Sequence, residues 1–128
     1  MDSTGRTRFR QCAAPACGVL LAQCGGGPSA PTTPSGATVT ISATGVSPAE
    51  VRIPVGSRVT FVNNDARPHA ISSDPVQTHT DCPVINDAGF LNPGQSRQTG
   101  VLSVARTCGF HDHTDEFNAA FKGRIVVQ

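Results

Sequence analysis

Residues 38–63, TVTISATGVSPAEVRIPVGSRVTFVN, decide the fold. Val39, Ile41 and Ala43 alternate with Thr40 and Ser42, the period-two signature of a strand with one buried face. Val51 and Ile53 repeat that pattern briefly before Pro54 and Gly56 end it. Residues 58–63 resume it, with Val59 and Phe61 on one side, and Asn63-Asn64-Asp65 supplies turn formers. Working outward, residues 68–72 read as extended and Asn92-Pro93-Gly94-Gln95 as a tight turn. Residues 98–102, 105–110 and 123–128 are further strand candidates, the last with Ile125 and Val127 on one side. No stretch carries a helical stripe. Short strands at close spacing with turn signals between them predict an all-β sandwich of about seven to eight strands. Residues 73–90 form a long, polar, irregular insert, the kind of loop that is functional or mobile in a compact domain.

Composition agrees with that class. Thirteen Gly and ten Pro favour turns over helices, and the absence of Trp and Tyr leaves a core of aliphatic residues and six Phe. The formal charge of +1 is uneven, because Arg6, Arg8 and Arg10 sit at the start and the remainder is slightly acidic. No basic patch remains to hold a phosphate backbone, so nucleic acid is not an expected partner.

Residues 1–24 read as an export signal: three Arg, an apolar run at 13–22, then Leu21-Ala22-Gln23-Cys24. That run is too short to span a bilayer. The last four residues resemble a bacterial lipoprotein box, which implies lipidation of Cys24 and a membrane contact by lipid anchor only. Residues 25–37, rich in Gly, Pro, Ser and Thr, read as a flexible tether, and residues 38–128 as the domain. The expected location is exported, periplasmic or anchored facing the periplasm.

All four histidines lie in residues 68–113, and three stand close to a cysteine: His79 and Cys82 in HTDC, and Cys108, His111 and His113 in CGFHDH. Thiolate and imidazole donors suit copper or zinc. Zinc's structural sites take four Cys or His ligands, a set this domain can just supply. One His upstream followed by Cys and His together fits instead the trigonal site of blue copper.

Residues 38–128 resemble the plastocyanin-like cupredoxins. The stretch GVSPAEVRIPVGSRVTFVNNDARPHAI is similar to the family's second and third strands and first copper histidine. LNPGQS resembles its Pro-Gly turn, RTCGFH its Cys-x-x-His loop, and FKGRIVV its Met-x-Gly-x-Val ending. The resemblance implies a Greek-key sandwich with copper at one end and one-electron transfer rather than enzyme catalysis. It implies His69, Cys108 and His111 as ligands, with His113 as an alternative second imidazole and His79 and Cys82 as possible extra ligands. Phe121 stands at the position of the family's axial Met and cannot ligate. A redox partner protein is implied, and the chain is expected to be monomeric. Two other readings stay open: a periplasmic copper-sequestering protein using the same residues, and a metal-free sandwich with a Cys82–Cys108 disulfide.

Overall fold

The computed structural model describes residues 26–27 and 35–128. The leader, including Cys24, lies outside them. Nine strands make two sheets among the described residues. They are β1 (Ala37–Ser42), β2 (Gly45–Ser47), β3 (Glu50–Ile53), β4 (Val59–Asn63), β5 (His69–Ser73), β6 (Gly89–Leu91), β7 (Ser96–Gln98), β8 (Arg106–Asp112) and β9 (Lys122–Val127). One sheet has the order β2-β1-β4-β7 and the other β3-β9-β8-β5-β6. β1 runs parallel to β4 and β3 parallel to β9, so the chain changes sheet between β2 and β3. This is a two-sheet β-sandwich, the architecture expected from the sequence. No described helix is long and apolar enough to cross a membrane.

The period-two reading explains the core. Val39 and Ile41 of β1, Val51 and Ile53 of β3, Val59 and Phe61 of β4, and Ile125 and Val127 of β9 are all buried. Phe61 meets Phe110 of β8 edge to face across the sandwich, with ring centroids 5.0 Å apart, the geometry aromatic quadrupoles favour.

Two expectations shift. Of residues 98–102 only Gln98 is in a strand, β7. Beyond it Thr99 turns inward, its hydroxyl accepting the Val59 N–H at 3.1 Å, and Leu102 makes only an isolated bridge with Ser57. The insert at 73–90 is more ordered than expected. Pro83 opens a short 3-10 turn, where its missing N–H costs nothing. Ile85 anchors that turn in the core, and Gly89 begins β6.

The register of β8 positions everything that follows. Its side chains alternate: Cys108, Phe110 and Asp112 face the core, while Gly109 and His111 face outward. β5 pairs only with its distal half, Ser73 opposite Phe110 and Ile71 opposite Asp112. The proximal half therefore has a free edge on that side, and residues 74–82 run along it.

Candidate metal centre

The inward face of β8 brings Asp112 against His69, the first residue of β5. His69 is buried between two carboxylates, its Nδ1 against Asp112 Oδ2 and its Nε2 2.9 Å from Asp65 Oδ2. The Phe121 ring stacks on the imidazole at 5.3 Å. Both ring nitrogens are therefore taken by acceptors, and neither is left for a metal. Asp65 is held below the ordinary carboxyl value of 3.8 by its hydrogen bond from His69, against the opposing effect of burial. For Asp112 burial is the largest influence and pushes upward. The Ala70 N–H, the His69 ring and the N–H and hydroxyl of Thr114 outweigh it and hold the carboxyl low.

Cys108 is joined to Cys82 by a disulfide, with Cα atoms 5.8 Å apart. This corrects the expectation of a thiolate ligand at position 108: the sulfur is bonded to sulfur and carries no charge to donate. Register gives a second reason. Cys108 lies four residues before Asp112 on the same face, so about 13 Å of strand separates it from His69's neighbour. His111, in turn, projects from the opposite face of the sheet to His69. The expected set of His69, Cys108 and His111 is thus not brought together.

The structure instead assembles His79, His111 and His113. One ligand nitrogen of each lies within 4.8 Å of the others. His111 and His113 share the outward side because they are two residues apart, and the 74–82 segment folds His79 over them. His79 and His111 stack at 5.2 Å, and His113 meets His79 edge-on at 4.8 Å. His79 has a φ of 54°, unusual for a residue with a side chain. That conformation is fixed from both ends: its N–H donates to Pro75 O at 2.8 Å, and Asn86 Nδ2 donates to its carbonyl at 3.0 Å.

Each imidazole presents the same side to an acceptor. His111 Nδ1 donates to Asp74 Oδ1 at 2.8 Å, and His79 Nδ1 donates to Ser73 O at 3.1 Å. His113 Nδ1 lies 3.3 Å from Glu116 Oε2. An N–H donated at Nδ1 leaves Nε2 as the lone-pair nitrogen, the tautomer of a metal-bound imidazole with its orienting partner in place. His111 Nε2 is buried and has no hydrogen-bond partner. Such orphans need an explanation, and an absent cation supplies one. Bonds of about 2.0–2.1 Å to a tetrahedral ion want nitrogens about 3.4 Å apart. The cluster must then tighten by up to about 1.4 Å, and the half-exposed His113 has the freedom to do it.

Sequence reasoning named all three residues but grouped them otherwise. The pattern His-x-His at the end of a strand, which puts both rings on one face, was the available signal. What sequence could not supply was Asp74 as the orienting carboxylate. Gly109 is part of that device, since a Cβ there would overlap the Asp74 side chain. Gly109→Ala is therefore expected to swing Asp74 away, leave the fold intact, and weaken metal binding about 10- to 100-fold, as Asp74→Ala does. Isothermal titration with Zn(II) checks both, and unchanged affinity in Asp74→Ala refutes the role.

The two sheets, with a partly buried cluster of three imidazoles under the 74–82 segment, define a class of fold, the two-sheet β-sandwich. Within that class the chain has the cupredoxin fold. It superposes on a purple cupredoxin from Nitrosopumilus maritimus with a TM-score of 0.57 and 24% identity, covering 72% of this chain and 99% of that one. It is also similar to amicyanin, in the reduced state of a mutant (TM-score 0.56, 22% identity, 73% and 82% covered). A mutant fern plastocyanin is similar too (TM-score 0.55, 22% identity, 71% and 99% covered). No family model matches the chain, and no curated protein matches it in sequence.

Proposed function

We propose that the protein is an exported copper-binding protein that holds Cu(II) on His79, His111 and His113 and serves copper handling. The observation that carries this is the orphaned Nε2 of His111, buried beside two other imidazoles whose Nδ1 atoms also face acceptors. Neutral imidazoles suit copper and zinc, and copper(II) stands highest among the divalent first-row ions in affinity for such donors. The fold supports copper as the natural occupant, since amicyanin, one of its neighbours, is described in a Cu(I) form.

A Cu(II)-loaded protein is expected to show only weak d–d absorption, with nitrogen hyperfine structure in its electron paramagnetic resonance spectrum. An intense thiolate-to-copper band would refute this site. His111→Ala should lose at least a hundredfold in affinity and His69→Ala less than threefold.

Electron transfer is a second reading, favoured by the fold its neighbours share and needing a redox partner protein. It requires a fast, reversible couple in voltammetry of the copper-loaded protein. Three imidazoles without a thiolate suit it less well than storage or delivery.

Export is supported by the Cys82–Cys108 disulfide, because such bonds persist in oxidising compartments. We place the chain in the periplasm, anchored through Cys24 and standing off the membrane on the Gly- and Pro-rich tether. Intact mass of the mature protein should show a lipidated cysteine at its N-terminus, and a mature chain that still begins at Met1 would refute the anchor.

A further inference from the structure

We infer that the Cys82–Cys108 disulfide gates the histidine site, and that an external dithiol opens it through an apolar cavity beside the sulfurs. The inference rests on the reading of His79, His111 and His113 as a metal site. His111 and His113 stand on and just beyond β8, whereas His79 belongs to the 74–82 segment. That segment follows directly on β5 and is fastened at its start to β8, through Asp74 N–H donating to Gly109 O at 3.0 Å. Its other end is fastened three residues after His79, where Cys82 is bonded to Cys108 on the free edge of β8.

The remaining fastenings are hydrogen bonds, those already described at the His79 N–H, Nδ1 and carbonyl among them, and one surface ion pair. Asp81 N–H donates to Asp74 O and Cys82 N–H to Ser73 Oγ, each at 2.8 Å, and Arg106 pairs with Asp81 at the surface. The left-handed backbone of His79 persists only while its surroundings hold it. Releasing Cys82 moves the next firm anchor of the segment on to Ile85 in the core and lets His79 leave the cluster.

The disulfide is also placed to be reached. Cys82 and Cys108 line a cavity of about 150 Å³ whose other walls include Pro83, Val84, Val101 and Val104. Val101 and Val104 are exposed at its mouth. Cys82 retains slight exposure, whereas Cys108 has none. A thiolate of the incoming dithiol therefore attacks Cys82 Sγ, forming a mixed disulfide as Cys108 leaves as a thiolate and takes up a proton. The second thiol of the reductant then displaces Cys82. Two electrons and two protons pass to the protein, and the reductant departs as a disulfide. The occupant that fits the cavity is a protein dithiol with an apolar surface around it.

The test uses Zn(II), which neither oxidises thiols nor is reduced by them. Affinity is measured on the full chain in three states, oxidised, reduced and alkylated, and Cys82→Ser/Cys108→Ser, with reduced, unalkylated protein as a control. Oxidised protein should bind one Zn(II) in a manner lost in His111→Ala, and the other two states should bind at least tenfold more weakly. Amide hydrogen exchange supplies a readout that does not depend on metal. Reduction should speed exchange in residues 75–82 well beyond the increase in β8 and β9, which reports the global loss of stability. Val104→Trp should slow reduction by a protein dithiol without changing Zn(II) affinity in the oxidised form.

Equal affinity in oxidised and alkylated protein overturns the gate while leaving the site standing. Tighter binding in reduced, unalkylated protein also overturns it, by making the thiolates ligands. Exchange in residues 75–82 that rises no more than exchange in β8 and β9 overturns it as well, because the bond would then hold the fold rather than the segment. Absence of Zn(II) binding in the oxidised form, or binding that survives His111→Ala, removes the metal reading itself.

Discussion

Asp112→Ala is expected to destabilise the domain by about 3–5 kcal/mol, since each buried donor left without its acceptor costs about 1–3 kcal/mol. The substitution leaves His69 in the core with one of its two carboxylates gone. It also strips the acceptor from the Ala70 N–H at 2.9 Å and from the Thr114 N–H and hydroxyl at 3.0 and 2.8 Å. At about 4–8 °C per kcal/mol for a domain of this size, the melting temperature should fall by more than about 10 °C. Asp112→Asn should cost less, since its amide oxygen still accepts from Ala70 and Thr114. Zn(II) affinity should change less than tenfold in either variant, because Asp112 faces the core and the histidine cluster faces outward. A loss below about 1 kcal/mol by chemical denaturation would refute the account.

The same pair gives a pH dependence with a definite sign. Asp65 and Asp112 are both held below their ordinary value of 3.8 in the folded protein. Their contribution to stability is therefore complete above about pH 4 and is lost as pH falls through their lowered values. Wild type should lose stability steeply below pH 4, and Asp112→Ala should show a shallower acid limb.

The sandwich was legible because alternation is a local signal. Val39 and Ile41, Val51 and Ile53, and Val59 and Phe61 each report a buried face without any knowledge of their partners. β2 and β6 were not legible: three residues each, they owe their strand geometry to pairing with β1 and β5. Residues 73–90 read as irregular because what orders them is tertiary. Ile85 reaches the core and Cys82 reaches Cys108, contacts no local pattern announces.

The candidate metal centre was half legible for a related reason. Composition and spacing gathered the right residue types, and the resemblance assigned Cys108 and His111 to one site because they are close in sequence. Pleating puts them on opposite faces, since a separation of three along a strand always does. The position from which a side chain meets His69 is 112, and it carries a carboxylate. Phe121, read from the sequence as unable to ligate, closes its ring over the His69 imidazole. The inward end of the sandwich is thus built as a hydrogen-bonded His–carboxylate core, while donor nitrogens gather on the outer face under the insert.

Reduction of the disulfide, or Cys82→Ala/Cys108→Ala, is expected to lower stability by about 3.5 kcal/mol, from the chain entropy released when a loop of this length is opened. The bond spans a sequence separation of 26 residues, long enough for the unfolded chain to be markedly constrained while it is intact. A domain with typical stability of about 5–15 kcal/mol survives that loss, so the reduced protein should remain folded at room temperature. Cys108 is fully buried and Cys82 nearly so, and truncating both to Ala also removes sulfur from a packed site. The double Ala variant should therefore fall somewhat below reduced wild type, and the double Ser variant lower still, because two hydroxyls enter an apolar wall without assured partners. Guanidinium denaturation of the oxidised, reduced and double-variant proteins would separate these contributions. Equal midpoints for the oxidised and reduced forms would show that the crosslink constrains nothing the fold does not already hold.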